Sequence, residues 1–395
     1  MSDPRGRREL LRAFGTWSIG AWSIGVLPWF PRTARAHPVR IGRYTEIPYG
    51  IRPDHPMPTE GAGPRRTHRL AGPVPVAEPD RAWEVVLGSR RARGPTVSAD
   101  GALYVGSMGG LHALSPDGTQ RWLAEVGAVH SAPSLSPSSD VIAVTRGGEV
   151  LRVSPGGQVV RRSDLGAPAR GSPLVLDDGS VLIATIDRRV HRLDANLRPV
   201  FQAELSDGTA GTLSRTRRGL LAVTSGRTVT LLTAEGARVR EVGLPGRVTT
   251  ALAVADDGTS WVSTTEGLLT QLDPRGRVRA QLDVGSRHFD GASLAIAPDG
   301  SVRVPTMTEG IVCVGPGGTE RWRFPNPPGF SGPASVGTDG TTLAVDRTGR
   351  MIAVDPQGAE RWRVVLGTYS FSPPVLGADG TIYIALERGQ LQAWH

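Results

Sequence analysis

The sequence predicts an all-β protein, an eight-bladed β-propeller of four-stranded antiparallel blades, on three observations. A Gly-bearing turn recurs roughly every 40 residues, a period typical of propeller blades. The copies are Asp100-Gly101, Asp178-Gly179, Arg218-Gly219, Asp257-Gly258, Asp299-Gly300, Asp339-Gly340 and Asp379-Gly380, with Ser139-Asp140 as a degenerate member. Around each turn the same order of short apolar strands repeats. The last copy stops one strand short, and a strand of matching pattern stands in front of the first.

Composition agrees with this class. The chain of 395 residues carries 51 Gly and 32 Pro but only 5% aromatic residues, which favours many short strands and tight turns over long helices. Every one of the 45 basic residues is arginine. The formal charge of +8 includes Arg5, Arg7, Arg8, Arg12, Arg32 and Arg35, all in a leader expected to be removed, so it does not point to a nucleic-acid partner. The lone Cys313 sits in the apolar run Ile311-Val312-Cys313-Val314 and reads as a small buried hydrophobe. With one cysteine, no intramolecular disulfide and no zinc site built on thiolate pairs can form.

Residues 1–36 have the layout of a signal peptide. Arg7-Arg8-Glu9-Leu10-Leu11 resembles a twin-arginine export signal, a weakly apolar stretch from Ala13 to Phe30 follows, and Ala34-Arg35-Ala36 is an Ala-x-Ala cleavage site. A retained anchor is the alternative, but Pro28 and three glycines cut the apolar run below the roughly 18 to 20 residues that a spanning helix needs. The mature chain is therefore expected from His37 in the periplasm or outside the cell, without a stable membrane span. Residues 37–81 are rich in Pro, Gly and Arg without hydrophobic period, and read as a linker or poorly ordered arm.

The propeller is expected over residues 82–395. In the first blade, strands fall at 95–99, 102–107, 111–114 and 119–126, and the Asp-Gly and Gly-Gly pairs between them supply the positive φ of tight hairpin turns. Such a blade exposes two apolar faces, so it needs a neighbour on each side, and a ring leaves no end unstacked. After Asp379-Gly380 the last copy runs through Ile382 to Ala385 and Leu391 to Trp394 and then ends. Trp83-Glu84-Val85-Val86-Leu87-Gly88 matches Trp362-Arg363-Val364-Val365-Leu366-Gly367, a fourth strand elsewhere, and is expected to complete the last blade and close the ring.

Three stretches carry a family resemblance: Leu111-His112-Ala113-Leu114-Ser115-Pro116-Asp117-Gly118-Thr119-Gln120-Arg121-Trp122, Ile352-Ala353-Val354-Asp355-Pro356-Gln357-Gly358 through Trp362, and Gly315-Pro316-Gly317-Gly318-Thr319-Glu320-Arg321-Trp322. Each resembles the tryptophan-docking motif of PQQ-like propellers, in which the indole packs between adjacent blades. The middle copies put Arg161, Phe201, Arg240 and Ala280 in its place, which implies looser junctions there, least so at Phe201. The family includes quinone-dependent dehydrogenases and non-catalytic envelope scaffolds. The alcohol-oxidising enzymes are expected to use adjacent cysteines, a calcium held by Glu and Asn, and an Asp base. Cys313 cannot form that disulfide, so no cofactor is expected, and PQQ with calcium enters only under an oxidoreductase alternative.

No catalytic motif is present, and Asp177-Asp178 and Asp256-Asp257 are explained by their turns. His112 and His191 lie on third strands, where packing between blades is expected, and no metal site is assigned. The loops joining fourth to first strands share a face with those joining second to third strands. That face is expected to gather Arg90, Arg91, His130, Arg146, Arg170, Arg188, Arg189, Arg227, Arg347 and Arg388, beside His288, Phe289, Phe330, Tyr369 and Phe371, interrupted by Glu266 and Glu309. Arginines among aromatics suit a protein or anionic glycan partner. The expectation is a monomeric, non-enzymatic scaffold.

Overall fold

The computed structural model of the chain describes residues 55–207, 210–248, 250–285 and 293–395. The expected signal peptide, the first part of the arm, His288 and Phe289 lie outside the described residues. Eight four-stranded antiparallel sheets follow one another as blades. Blade 1 has strands Arg93–Val97, Leu103–Ser107, Gly110–Leu114 and Gln120–Ala124, and blades 2 to 7 span residues 134–164, 169–204, 210–243, 253–283, 295–325 and 335–365.

Blade 8 closes the ring as the sequence predicts. Its strands Val375–Leu376, Ile382–Ala385 and Gln390–Trp394 come from the carboxyl end, and its fourth strand is Arg81–Val86. Glu84 pairs with Gln392 and Val85 with Leu391, while the backbones of Asp80 and His395 exchange two hydrogen bonds of 3.0 Å. Second and third strands are almost wholly buried, and Val, Ile, Leu and Ala from facing blades form the core.

The tryptophan motif explains how neighbouring blades lock. The indole Nε1 of Trp83 donates to the Pro116 carbonyl at 2.9 Å, that of Trp122 to Pro155 at 2.8 Å, and that of Trp322 to Pro356 at 2.8 Å. The indole lies flat on the glycine two residues after each acceptor: a Cβ on Gly118, whose φ is +86°, would stand 2.9 Å from the Trp83 ring. Three of the four junctions without tryptophan replace its donor. Arg152, Arg192 and Gln271 stand on third strands opposite Arg161, Phe201 and Ala280. Arg152 donates to the Ala195 carbonyl, Arg192 to that of Ala234 at 2.6 Å, and Gln271 to that of Pro316 at 2.9 Å. At the remaining junction Leu231 faces Arg240 and has no polar donor to offer.

Residues 55–80 are not a poorly ordered linker, and the expectation for that part of the arm is corrected. The first strand of each blade leaves an unpaired backbone edge toward the central channel, and such edges invite pairing. The arm supplies it. Met57 forms an antiparallel bridge with Val97 of blade 1. The amides of Leu135, Arg215, Val254, Ile296 and Val336, in blades 2, 4, 5, 6 and 7, then donate in turn to the carbonyls of Pro58, Pro64, Arg65, Thr67 and His68 at 2.7 to 2.9 Å. Blade 3 is reached by the Arg66 guanidinium, which donates to the Ser172 carbonyl at 3.1 Å. Farther on, Trp362 donates to the Pro75 carbonyl at 2.9 Å. Blade 8 has spent its third-to-fourth-strand turn on ring closure, so Pro75 stands in for the missing Pro-x-Gly acceptor. The arm's contacts pass from blade to blade, which is why the segment shows no hydrophobic period.

Candidate interaction face and channel

In an antiparallel blade the fourth-to-first and second-to-third connections lie at the same end. Bridges between them, Val129 with Thr145, Val248 with Thr264 and Phe330 with Asp346, fix this end as one loop face. The arm binds the opposite end, next to the Asp-Gly turns. Between them the channel holds a cavity of about 1020 Å³. Its wall includes Arg91, His130, Arg146 and Phe371 of the expected face, with Arg93, Arg247 and, from the arm, Glu60.

The charges at the mouth are partly matched. Glu387 pairs with Arg91 at 3.5 Å and Arg93 at 3.0 Å, and the Arg93 guanidinium lies 5.2 Å from the centre of the Phe371 ring. Tyr369 meets Phe371 edge-on with centroids 5.3 Å apart. Arg146 is exposed and its guanidinium has no ion-pair or hydrogen-bond partner among the described residues. Burial, then the charges of Arg146, Arg91 and Arg93, lower the His130 pKa, so this ring is neutral at pH 7 and places its Nε2 2.7 Å from the Met108 sulfur.

Arg90, Arg188, Arg189, Arg227, Arg347 and Arg388 are not among the residues that line the cavity. Arg90, Arg347 and Arg388 are exposed on the loop face without ion pairs among the described residues. Arg188 pairs with Glu204 at 3.8 Å, Arg189 with Asp187 at 3.1 Å, and Arg227 donates to the Pro245 carbonyl. Arg170 stands inside the first strand of blade 3, opposite Ala184. Phe330 is corrected: at 1% exposure it belongs to the core between blades 6 and 7 and presents no ring to a partner, because its bridge to Asp346 turns it inward.

At the arm end, Glu60 lies in a short 3-10 turn, Glu60–Ala62, and its Oε2 accepts from the Ser172 hydroxyl. Arg66 is buried below it, donating from Nε to Leu213 and from Nη2 to Ser172 carbonyls, both at 3.1 Å. Burial lowers the Arg66 pKa, and the nearby Glu60 charge opposes the shift. Of the cavity residues that sequence reasoning missed, Arg247 lies in a fourth-to-first-strand loop and the same loop rule would have found it. Arg93 opens a first strand, and Glu60 belongs to the segment without period; neither carried a signal.

The family model described as outer membrane protein assembly factor BamB, a PQQ-like repeat model, matches residues 146–315 and 308–394, more than half of the chain. The chain belongs to that family. Among curated proteins none matches this PQQ-like propeller in sequence. The solved structure of BamB from Moraxella catarrhalis is 18% identical, with a TM-score of 0.65 over 81% of this chain and 98% of that one. Quinohemoprotein alcohol dehydrogenase from Comamonas testosteroni is 13% identical, with a TM-score of 0.74 over 91% and 82% of the two chains. A europium-containing methanol dehydrogenase is 14% identical, with a TM-score of 0.71 over 85% and 89%. At these identities the likeness shows the fold alone.

The residues present do not fit a quinone with calcium. Among the described residues that line the cavity, Glu60 is the one carboxylate and Phe371 the one aromatic ring apart from His130. Cys313, the one cysteine of the sequence, is buried in blade 6 against Arg303, whose Nη1 donates to its sulfur at 2.9 Å. No group of three or more His, Cys, Asp or Glu among the described residues is arranged to hold a metal ion. No described helix is long and apolar enough to cross a membrane.

Proposed function

We propose that this propeller is a non-enzymatic scaffold of the cell envelope that holds a protein partner on its arginine-bearing loop face. The observation that carries the reading is the difference between the two ends of the ring. One end is already spanned by the chain's own arm, which takes up the first-strand edges there. The other presents Arg91, Arg146, Arg347 and Arg388 beside Tyr369 and Phe371, exposed guanidinium groups next to aromatic rings, the combination enriched where proteins bind acidic or carbonyl-rich surfaces.

The family's description as an assembly factor supports a role in holding other proteins, and the leader read in residues 1–36 supports export. The misfit of the channel to quinone and calcium supports the scaffold over an oxidoreductase. Charge reversal of Arg91 and Arg146 to Glu tests the reading. Capture of envelope proteins by the purified chain is expected to fall at least about tenfold, with an unchanged unfolding midpoint. Undiminished capture by the folded variant would refute it.

A further inference from the structure

We infer that the channel beneath the loop face binds a compact acidic sugar, with its carboxylate outward and its hydroxyls inward. The inference rests on the recognition face proposed above and adds a ligand class for the interior of that face.

Three kinds of polar group are sorted along the cavity. At the arm end, Glu60 uses Oε2 to accept from Ser172, while Oε1 has no partner among the described residues. On the walls, the hydroxyl residues Ser131, Thr212, Thr224 and Ser293 line the cavity. At the mouth stands the unpaired Arg146 guanidinium. The cavity therefore offers an entering molecule a carboxylate acceptor, hydroxyls that both donate and accept, and a guanidinium donor, in that order from the arm end to the mouth.

The chemistry of the entering group follows from the order. A carboxylate is acceptor-only and takes up O–H donors, serine and threonine hydroxyls both donate and accept, and a guanidinium forks onto a carboxylate. A polyhydroxylated anion meets all three. A flat apolar ligand does not, because Phe371 is the single large aromatic surface among the described residues of the wall. The volume of about 1020 Å³ lies at the upper end of small-ligand sites and exceeds a single simple anion.

Calorimetric titration of the purified chain with trigalacturonate, and with neutral maltotriose as the matched control, tests this. One-to-one binding of trigalacturonate is expected, weakened about tenfold by Arg146→Gln and weakened by added salt, with no binding of maltotriose. Glu60→Gln is expected to weaken it too. Because that change touches the arm, Thr212→Val in blade 4 serves as a second probe of the wall. Absence of heat with trigalacturonate, equal binding of maltotriose, or affinity unmoved in both Arg146→Gln and Thr212→Val would overturn the inference. Protein capture without sugar binding would leave the scaffold reading standing and remove this one, and sugar binding without capture would do the reverse.

Discussion

Replacing Arg66 with methionine strips the arm of its anchor to blades 3 and 4 while keeping most of the apolar stem. The guanidinium is 1% exposed and donates from Nε to Leu213 at 3.1 Å, from Nη1 to Thr59 at 3.2 Å and to the Glu60 carbonyl, and from Nη2 to Ser172 at 3.1 Å. A hydrogen bond from a charged donor contributes about 1.5 to 3 kcal/mol net, and leaving buried carbonyls without a donor costs about 1 to 3 kcal/mol each. Against this, the variant is relieved of desolvating a guanidinium, which offsets several kcal/mol. The balance is a loss of about 3 kcal/mol, a large part of the roughly 5 to 15 kcal/mol that hold a native protein together. For a chain of this length each kcal/mol moves the midpoint by about 1.5 °C, so calorimetry is expected to find Tm lower by about 4 °C. Limited proteolysis is expected to open the segment from Met57 to Val74. Arg347→Met, an exposed change on the loop face, is the control and should stay within about 0.5 kcal/mol. A wild-type midpoint with undiminished protection of the arm in Arg66→Met would refute the anchoring role.

The junction donors make a second set. Trp362→Phe keeps a ring at this junction but loses the bond to Pro75, for a loss of about 1 kcal/mol by denaturant unfolding. Gln271→Leu leaves the Pro316 carbonyl without its donor and is expected to cost about the same or slightly more; no change in either would show that these bonds are dispensable. Acid stability carries a third. Burial, helped by the Arg66 charge and opposed by Glu60, holds His68 at about 4 against its ordinary 6.5. The folded value lies below the unfolded one, so the unfolded chain takes up the proton first as pH falls. Stability that is whole above about pH 6.5 is therefore lost between about 6.5 and 4, by up to about 3 kcal/mol. His68→Gln is expected to flatten the unfolding curve in that window, and an unchanged slope would show that His68 is not its source.

The ring was legible because its signals are local and repeated. An Asp-Gly pair fixes a turn by the positive φ of its glycine, and eight turns at one spacing, six of them Asp-Gly, leave little choice of architecture. Closure was legible as well, since Trp83 to Leu87 repeats the pattern of Trp362 to Leu366. The arm was not. Its contacts are spread over seven blades, so Met57, Arg66, His68 and Leu70 follow no period, and a segment rich in Pro and Gly looks the same whether it is free or seated on unpaired strand edges. Glu60 was hidden for that reason. The loop rule collected Arg91, His130 and Arg146 from loops far apart in sequence. It erred at Phe330, where the loop end pairs with Asp346 and turns the ring into the core. The weak middle junctions were half legible: the missing tryptophans are visible, but the replacement donors Arg152, Arg192 and Gln271 sit on the neighbouring strand and appear only once the register is known.

On the proposed function, one end of the ring recognises a partner while the other is spanned by the chain's own arm. Site-specific photocrosslinking in envelope extracts compares them directly, with the probe at Arg388 on the loop face or at Gln357 in an exposed turn at the arm end. Crosslinks to a discrete partner from Arg388 and none from Gln357 are expected. The same partner captured equally from both positions, or from Gln357 alone, would contradict the assignment of the loop face.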